Sequence, residues 1–148
     1  MREILFRGKR CDNGEWVQGF YVRADHHWHK NGIHKDWIIC GASANGGWFA
    51  LHNKYAVKDE TVGQFTGLTD KNGENIFEGD IVRVCLDPEI CVGEVIWDNE
   101  IASYNILFNN GKCVLPLDIF IAKNKVGDKV WIGIIGNIHD NPELLENP

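Results

Sequence analysis

The stretch from Thr61 to Val84, TVGQFTGLTDKNGENIFEGDIVRV, constrains the fold most tightly, because its local signals agree on one arrangement and none of them encodes chemistry. Asp70-Lys71-Asn72-Gly73 is a turn tetrapeptide. Asn-Gly suits a reversal because Gly73 can take a positive φ without a Cβ clash, and Asn tolerates the left-handed region better than most residues. Glu78-Gly79-Asp80 is a second polar break, followed by the mostly β-branched run Ile81-Val82-Arg83-Val84. Strand, turn, short link and strand is how small β-barrels begin.

The rest of the chain repeats this grammar. Glu3 to Arg7 and Glu15 to Arg23 read as a hairpin turned by Asn13-Gly14, with aromatic and β-branched residues suited to a half-buried pleated surface. Ala24 to Lys35 is a polar, histidine-rich stretch expected as a loop. Trp37 to Cys40 and Trp48 to His52 read as strands around a Gly41–Gly47 loop. Asp80 to Leu86 and Cys91 to Trp97 pair around Asp87-Pro88-Glu89, because Pro88 cannot donate to a ladder. Ser103 to Phe108, Cys113 to Leu117, Ile119 to Ala122 and Lys129 to Ile135 are read as further strands, with Pro116 an interruption. Asn141 as N-cap and Pro142 at the first helical position predict a short C-terminal helical turn. No segment holds helical periodicity over three turns. The expectation from the residues is an all-β chain, whose short strands separated by Gly and Asn turns point to a barrel or a sandwich.

Composition narrows the function classes. A hydrophobic fraction of 44% with six tryptophans can build a core and argues against intrinsic disorder. No window approaches the roughly 20 apolar residues of a membrane span, and the N-terminus lacks a signal-peptide core, so the expected location is the cytoplasm of whatever cell makes the chain, with no membrane partner. Five cysteines without a CxxC fit neither a paired disulfide framework nor a zinc knuckle, and are read as reduced thiols. The net charge of −6 is uneven. Residues 1–35 carry seven Lys and Arg against four Asp and Glu, a balance of +3, and residues 36–148 carry eight against seventeen, a balance of −9. An acidic bulk disfavours non-specific adhesion to nucleic acid, which depends on clustered cations.

The groups able to do chemistry are few. His26, His27, His29 and His34 have metal-ligand flavour, but a dedicated site needs further ligands and supporting carboxylates that nothing in the sequence places. Glu78, Asp80, Glu94 and Asp98 could approach one another across paired strands, yet Glu78 and Asp80 occupy positions where turns need polar side chains. No GxSxG or activated cysteine is present. Gly41 to Gly47 lacks the GxxxxGK[ST] spacing of a phosphate loop. The expectation is no enzyme, no cofactor and no metal. Trp97 and Trp131, both in strands, are expected in the core.

The Thr61–Val84 block resembles the hallmark of the YopX family of phage and prophage proteins. The opening Met1 to Arg7, the strand Gly93-Glu94-Val95-Ile96-Trp97-Asp98 and the closing Ile135-Gly136-Asn137-Ile138-His139-Asp140-Asn141-Pro142-Glu143-Leu144-Leu145 resemble further family elements in order. Ala24 to Lys54 matches poorly. The resemblance implies a small all-β protein with an N-terminal β region over residues 1–60 that holds a variable loop, and over residues 61–148 a small C-terminal β-barrel of complex, SH3-like topology, made in the cytoplasm of a bacterial host. It brings no catalytic residue or cofactor with it. Gly67, Asp70, Gly73, Gly79, Asp80, Gly136 and Asn137 are read as turn or cap residues. The resulting expectation is a non-enzymatic phage accessory protein that binds another protein or itself as a homo-oligomer. The alternative is a nucleic-acid binder, because the 79–96 spacing also resembles SH3-like barrels of the KOW type. Its surface would be Arg7, Lys9, Arg10 and Arg23 on the first hairpin, with Trp16 or Tyr21 as stackers.

Overall fold

The computed structural model describes residues 3–23, 36–45, 48–86, 88–108, 111, 113–123 and 130–146. The chain divides into two units, Met1–Gln64 and Phe65–Pro148. Two antiparallel sheets, one of six strands and one of five, account for most of the described residues.

In the first unit, β1 (Phe6–Lys9) and β2 (Trp16–Arg23) form the predicted hairpin, with Lys9 opposite Trp16 and Phe6 opposite Gly19. Gly14 takes a φ of +75°, and the Glu15 amide donates to the Asn13 side chain at 3.0 Å. β3 (Asp36–Asn45) and β4 (Trp48–Ala56) then form a hairpin longer than expected, because the ladder continues through the small residues 41–45 to pair Asn45 with Trp48. Small side chains do not prevent backbone pairing, so the expected loop is strand for most of its length. The chain after β4 returns to β1: Arg10 bridges Val57, and the Cys11 amide donates to the Ala56 carbonyl at 2.9 Å. A 3-10 turn at Asp59–Thr61 follows, where the buried Thr61 hydroxyl accepts from the Lys9 amide and donates to the Lys58 carbonyl. Ile38, Ile39 and Val57 are buried here. Gly19 lies so close to the β3 backbone that a Cβ would sit 2.2 Å from the Ile39 carbonyl oxygen.

β5 (Gly63–Thr69) pairs with β1 through its first residues and, in the second unit, with β6 (Asn75–Phe77). The intervening turn is built on Asp70. Its buried carboxylate accepts from the amides of Asn72 at 2.7 Å, Glu74 at 3.0 Å and Ile134 at 3.1 Å. Gly73 and Gly79 take the positive φ these turns require, +86° and +79°. Asp80, also buried, accepts from the Phe77 amide at 2.7 Å.

β7 (Asp80–Leu86), β8 (Glu89–Asp98), β9 (Ser103–Phe108), β10 (Cys113–Pro116) and β11 (Val130–Asn137) form the five-stranded sheet. Its order has two ends, β10 and β11, with no pairing between them, so the described residues form no closed barrel where one was expected. The expected strand at Ile119–Ala122 is a helix, α1 (Asp118–Lys123). Pro116 ends the ladder, and a helical turn places both Leu117 and Phe120 in the core. The Phe120 ring meets Phe108 edge-on at 6.4 Å. Around them lie Ile76, Val82, Val84, Val95, Ile106 and Ile132.

Three further readings change. Trp97 is exposed, and half-buried Trp131 carries the Lys71 ammonium 3.8 Å from its ring centre, so neither is a core residue. The C-terminal turn Pro142–Leu145 is 3-10, and the Asn141 side chain makes no capping bond. Its oxygen instead packs over Gly136, where a Cβ would lie 2.7 Å away. The side chain that organises this corner is Asn137, which accepts from the amides of His139 and Asp140, each at 3.0 Å.

Candidate binding surface on the first unit

Side chains alternate across β2, so Trp16, Gln18, Phe20 and Val22 share one face, and Val17, Gly19, Tyr21 and Arg23 share the other. This divides the six residues proposed from the sequence. On the Trp16 face, the Arg7 guanidinium lies 4.9 Å and the Lys9 ammonium 5.6 Å from the indole centre, as the Lys9–Trp16 register requires. On the other face, Tyr21 packs against Phe6 at 5.4 Å, and its hydroxyl donates to the buried Asp36 carboxylate. Burial, and then that carboxylate, push the Tyr21 phenol above its ordinary pKa. Arg23 Nε approaches the same carboxylate at 3.9 Å. Arg10 is held by Asp12 at 2.6 Å and Glu15 at 3.6 Å, and its guanidinium stacks over Tyr55 at 4.2 Å. The hydrogen bond from Arg10 holds the Asp12 carboxyl below the usual carboxylate range. Arg7, Lys9 and Trp16 therefore form one cluster, while Arg10, Tyr21 and Arg23 are each engaged with carboxylates elsewhere.

Two features of this unit are visible only in three dimensions. Phe20 and Val22, following Trp16 along β2, are 63% and 42% exposed. Their alternation with Gly19 and Tyr21 was the available signal, but alternation alone does not say which face is covered. Across the ladder, Val22 faces Trp37, and Trp37 faces Ala56. Beside that row lies a cleft of about 330 Å³, lined by Cys11, Asp12, Trp37, Lys54, Tyr55 and Ala56. Its lining sets Lys54 beside Asp12, the Tyr55 ring is already covered by the Arg10 guanidinium, and burial pushes the Cys11 thiol up in pKa.

The other sequence candidates resolve differently. Asp98 is a turn residue, accepting from the Glu100 amide at 2.8 Å and the Asn105 side chain at 3.2 Å. Burial, and then the neighbouring Glu78, push the Glu94 carboxyl up. Cys85 faces Ile90 and Cys91 faces Val84, so the two thiols are not register partners. The His26–His34 stretch and the side chains of Trp48 and Phe49 lie outside the described residues. Among the described residues there is no group of three or more His, Cys, Asp or Glu able to hold a metal, and no helix long and apolar enough to cross a membrane.

Comparison with known proteins places this fold. It is similar to the crystal structure of protein EF1440 from Enterococcus faecalis, with a TM-score of 0.60 and 24% identity over 98% of this chain and 99% of that one. No curated protein matches the chain. The family model described as YopX protein matches residues 5–146, nearly the whole of both units, and the chain therefore belongs to the YopX family.

Proposed function

We propose that this YopX-family chain is a phage accessory protein acting as a non-enzymatic binding module, and that the Trp16 face of the first unit is where it meets a protein. The observation that carries this reading is the exposure of Phe20 and Val22 beside the Arg7–Lys9–Trp16 cluster. An apolar strip edged by cations is how interfaces combine desolvated anchors with a polar rim. The turn carboxylates Asp70, Asp80 and Asp98 already accept backbone or side-chain donors, which supports a structural rather than a catalytic use of the acidic residues.

Cells in which a phage or prophage is active supply the test. Tagged protein and its Phe20→Asp variant are used for capture, washed at low and high salt. The reading predicts a protein partner retained at high salt by the natural chain and lost with the variant. Equal capture by both would overturn it.

The Arg7–Lys9–Trp16 cluster also favours a second reading, a single-strand nucleic-acid surface. It is the weaker one, because Arg10 and Arg23 lie against carboxylates and the first unit carries nine Lys and Arg against seven Asp and Glu, a balance of only +2. Nucleic-acid affinity that falls steeply with salt, and vanishes on replacing Arg7 and Lys9 with Gln, would promote it.

A further inference from the structure

The closing segment of the chain lies across one face of the five-stranded sheet. Gly136 stands opposite Ile81 and Ile81 opposite Glu94, so the three positions form one row on one face. A Cβ on Gly136 would meet the Asn141 side-chain oxygen at 2.7 Å and Leu144 Cδ1 at 2.9 Å, which sets the 3-10 turn Pro142–Leu145 over this row. The same turn packs against β8. Its approach is tied down, because the Gly79 amide donates to the Val95 carbonyl at 2.8 Å and the Ile138 amide donates to the Gly79 carbonyl at 3.0 Å. Ile81 is fully buried and Glu94 half-buried, whereas Val114, reached along the same row through Leu107, is 43% exposed. Residues 137–146 are thus a strap, and one of the groups in the row they cross is a carboxylate. The charged and titratable groups around Glu94 are Glu78 in the turn before β7, exposed Arg83 diagonally across on β7, and His139, Asp140, Glu143 and Glu146 on the strap. From β9 the residue opposite is apolar Leu107.

We propose that this strap is a pH-sensitive closure of the face, gripping when Glu94 is protonated and loosening when it ionises. A carboxylate under the strap keeps less water than one on an open face, so closing the strap is harder when that carboxylate is charged. Glu78 adds like-charge repulsion to the same ionised state. The grip is therefore full below the ordinary glutamate range and weakens as pH rises through the raised value that Glu94 has in the closed form. Loosening uncovers Ile81 and lengthens the apolar row that already ends in Val114.

Amide hydrogen exchange of the full chain, read by NMR and corrected for the intrinsic rate of each amide, tests this. The amides of Ile138, Asn141 and Leu144, bonded to the carbonyls of Gly79, Asn137 and Asn141, should be less protected than those of β9, because the strap opens without the sheet. Their protection should fall between mild acid and neutral pH, and Glu94→Gln should hold it level. The coupling is reciprocal, so a strap weakened by Leu144→Ala should exchange roughly tenfold faster and let the Glu94 carboxyl titrate closer to its ordinary range. Strap amides as protected as those of β9 would overturn the proposal. So would a pH trend that survives Glu94→Gln, which would belong to another group such as His139, or a Glu94 titration that Leu144→Ala leaves unmoved.

Discussion

The two units use their aromatic and acidic residues in opposite ways. In the second, Phe108 and Phe120 are buried with Val82, Val84, Ile106 and Ile132, and Asp70 and Asp80 are buried as acceptors for backbone amides. In the first, the buried hydrophobic residues among those described are Ile38, Ile39 and Val57, while Phe20 is exposed and Trp16 lies under two cations. A sheet with a full complement of buried side chains needs its acids to hold turns in place. Exposed apolar side chains stand in both units, Phe20 and Val22 in the first and Ile90, Trp97, Ile101 and Val114 in the second, and contiguous patches of such area mark interaction sites. The described core side chains are thus divided unequally between the two units.

Substitutions sharpen or break that division. The largest effect is expected for Phe120→Ala, at about 4 kcal/mol by urea unfolding, because a ring fully enclosed by core neighbours leaves a cavity. Asp70→Ala should cost about 3 kcal/mol, since the amides of Asn72, Glu74 and Ile134 lose a charged acceptor together. Hydrogen exchange should then accelerate at those three amides first. Tyr21→Phe removes one bond to buried Asp36 in the first unit and should cost about 1.5 kcal/mol. If it cost more than Phe120→Ala, the division would be wrong.

The smallest effect concerns pH. Burial and Glu78 raise the Glu94 carboxyl above its unfolded pKa, so folding favours its protonated form. That contribution is full below the ordinary glutamate range and is lost as pH rises through the folded value. Glu94→Gln should therefore be more stable than the natural chain at neutral pH and lose this advantage in mild acid. Urea midpoints at the two pH values check the sign.

What was legible beforehand follows the range of the interactions involved. The Asn13-Gly14 and Asp70–Gly73 reversals could be read because turn chemistry acts within about four residues, and Asp70 reaches Asn72 and Glu74 inside that span. Its bond to Ile134 could not be read, because 64 residues intervene. The Ile119–Ala122 stretch was misread because a short apolar run has no period that separates helix from strand. The partner of Arg23 could not be read for a similar reason: Asp36, which engages it, arrives through the β2–β3 register. Trp97 and Trp131 were misplaced because a strand's residues alternate faces, and only the neighbouring elements decide which face is covered.

By itself, then, the sequence determined the reversals, the predominance of β structure and the kinship with the YopX family, since each is carried by contiguous residues. The strand order of the five-stranded sheet, the helix closing its core, the exposure of Phe20, Val22 and Ile101, and the cleft beside Trp37 were decided by tertiary structure. Each depends on which distant strands pair and in what register, and a one-residue shift in register would exchange the buried face for the exposed one.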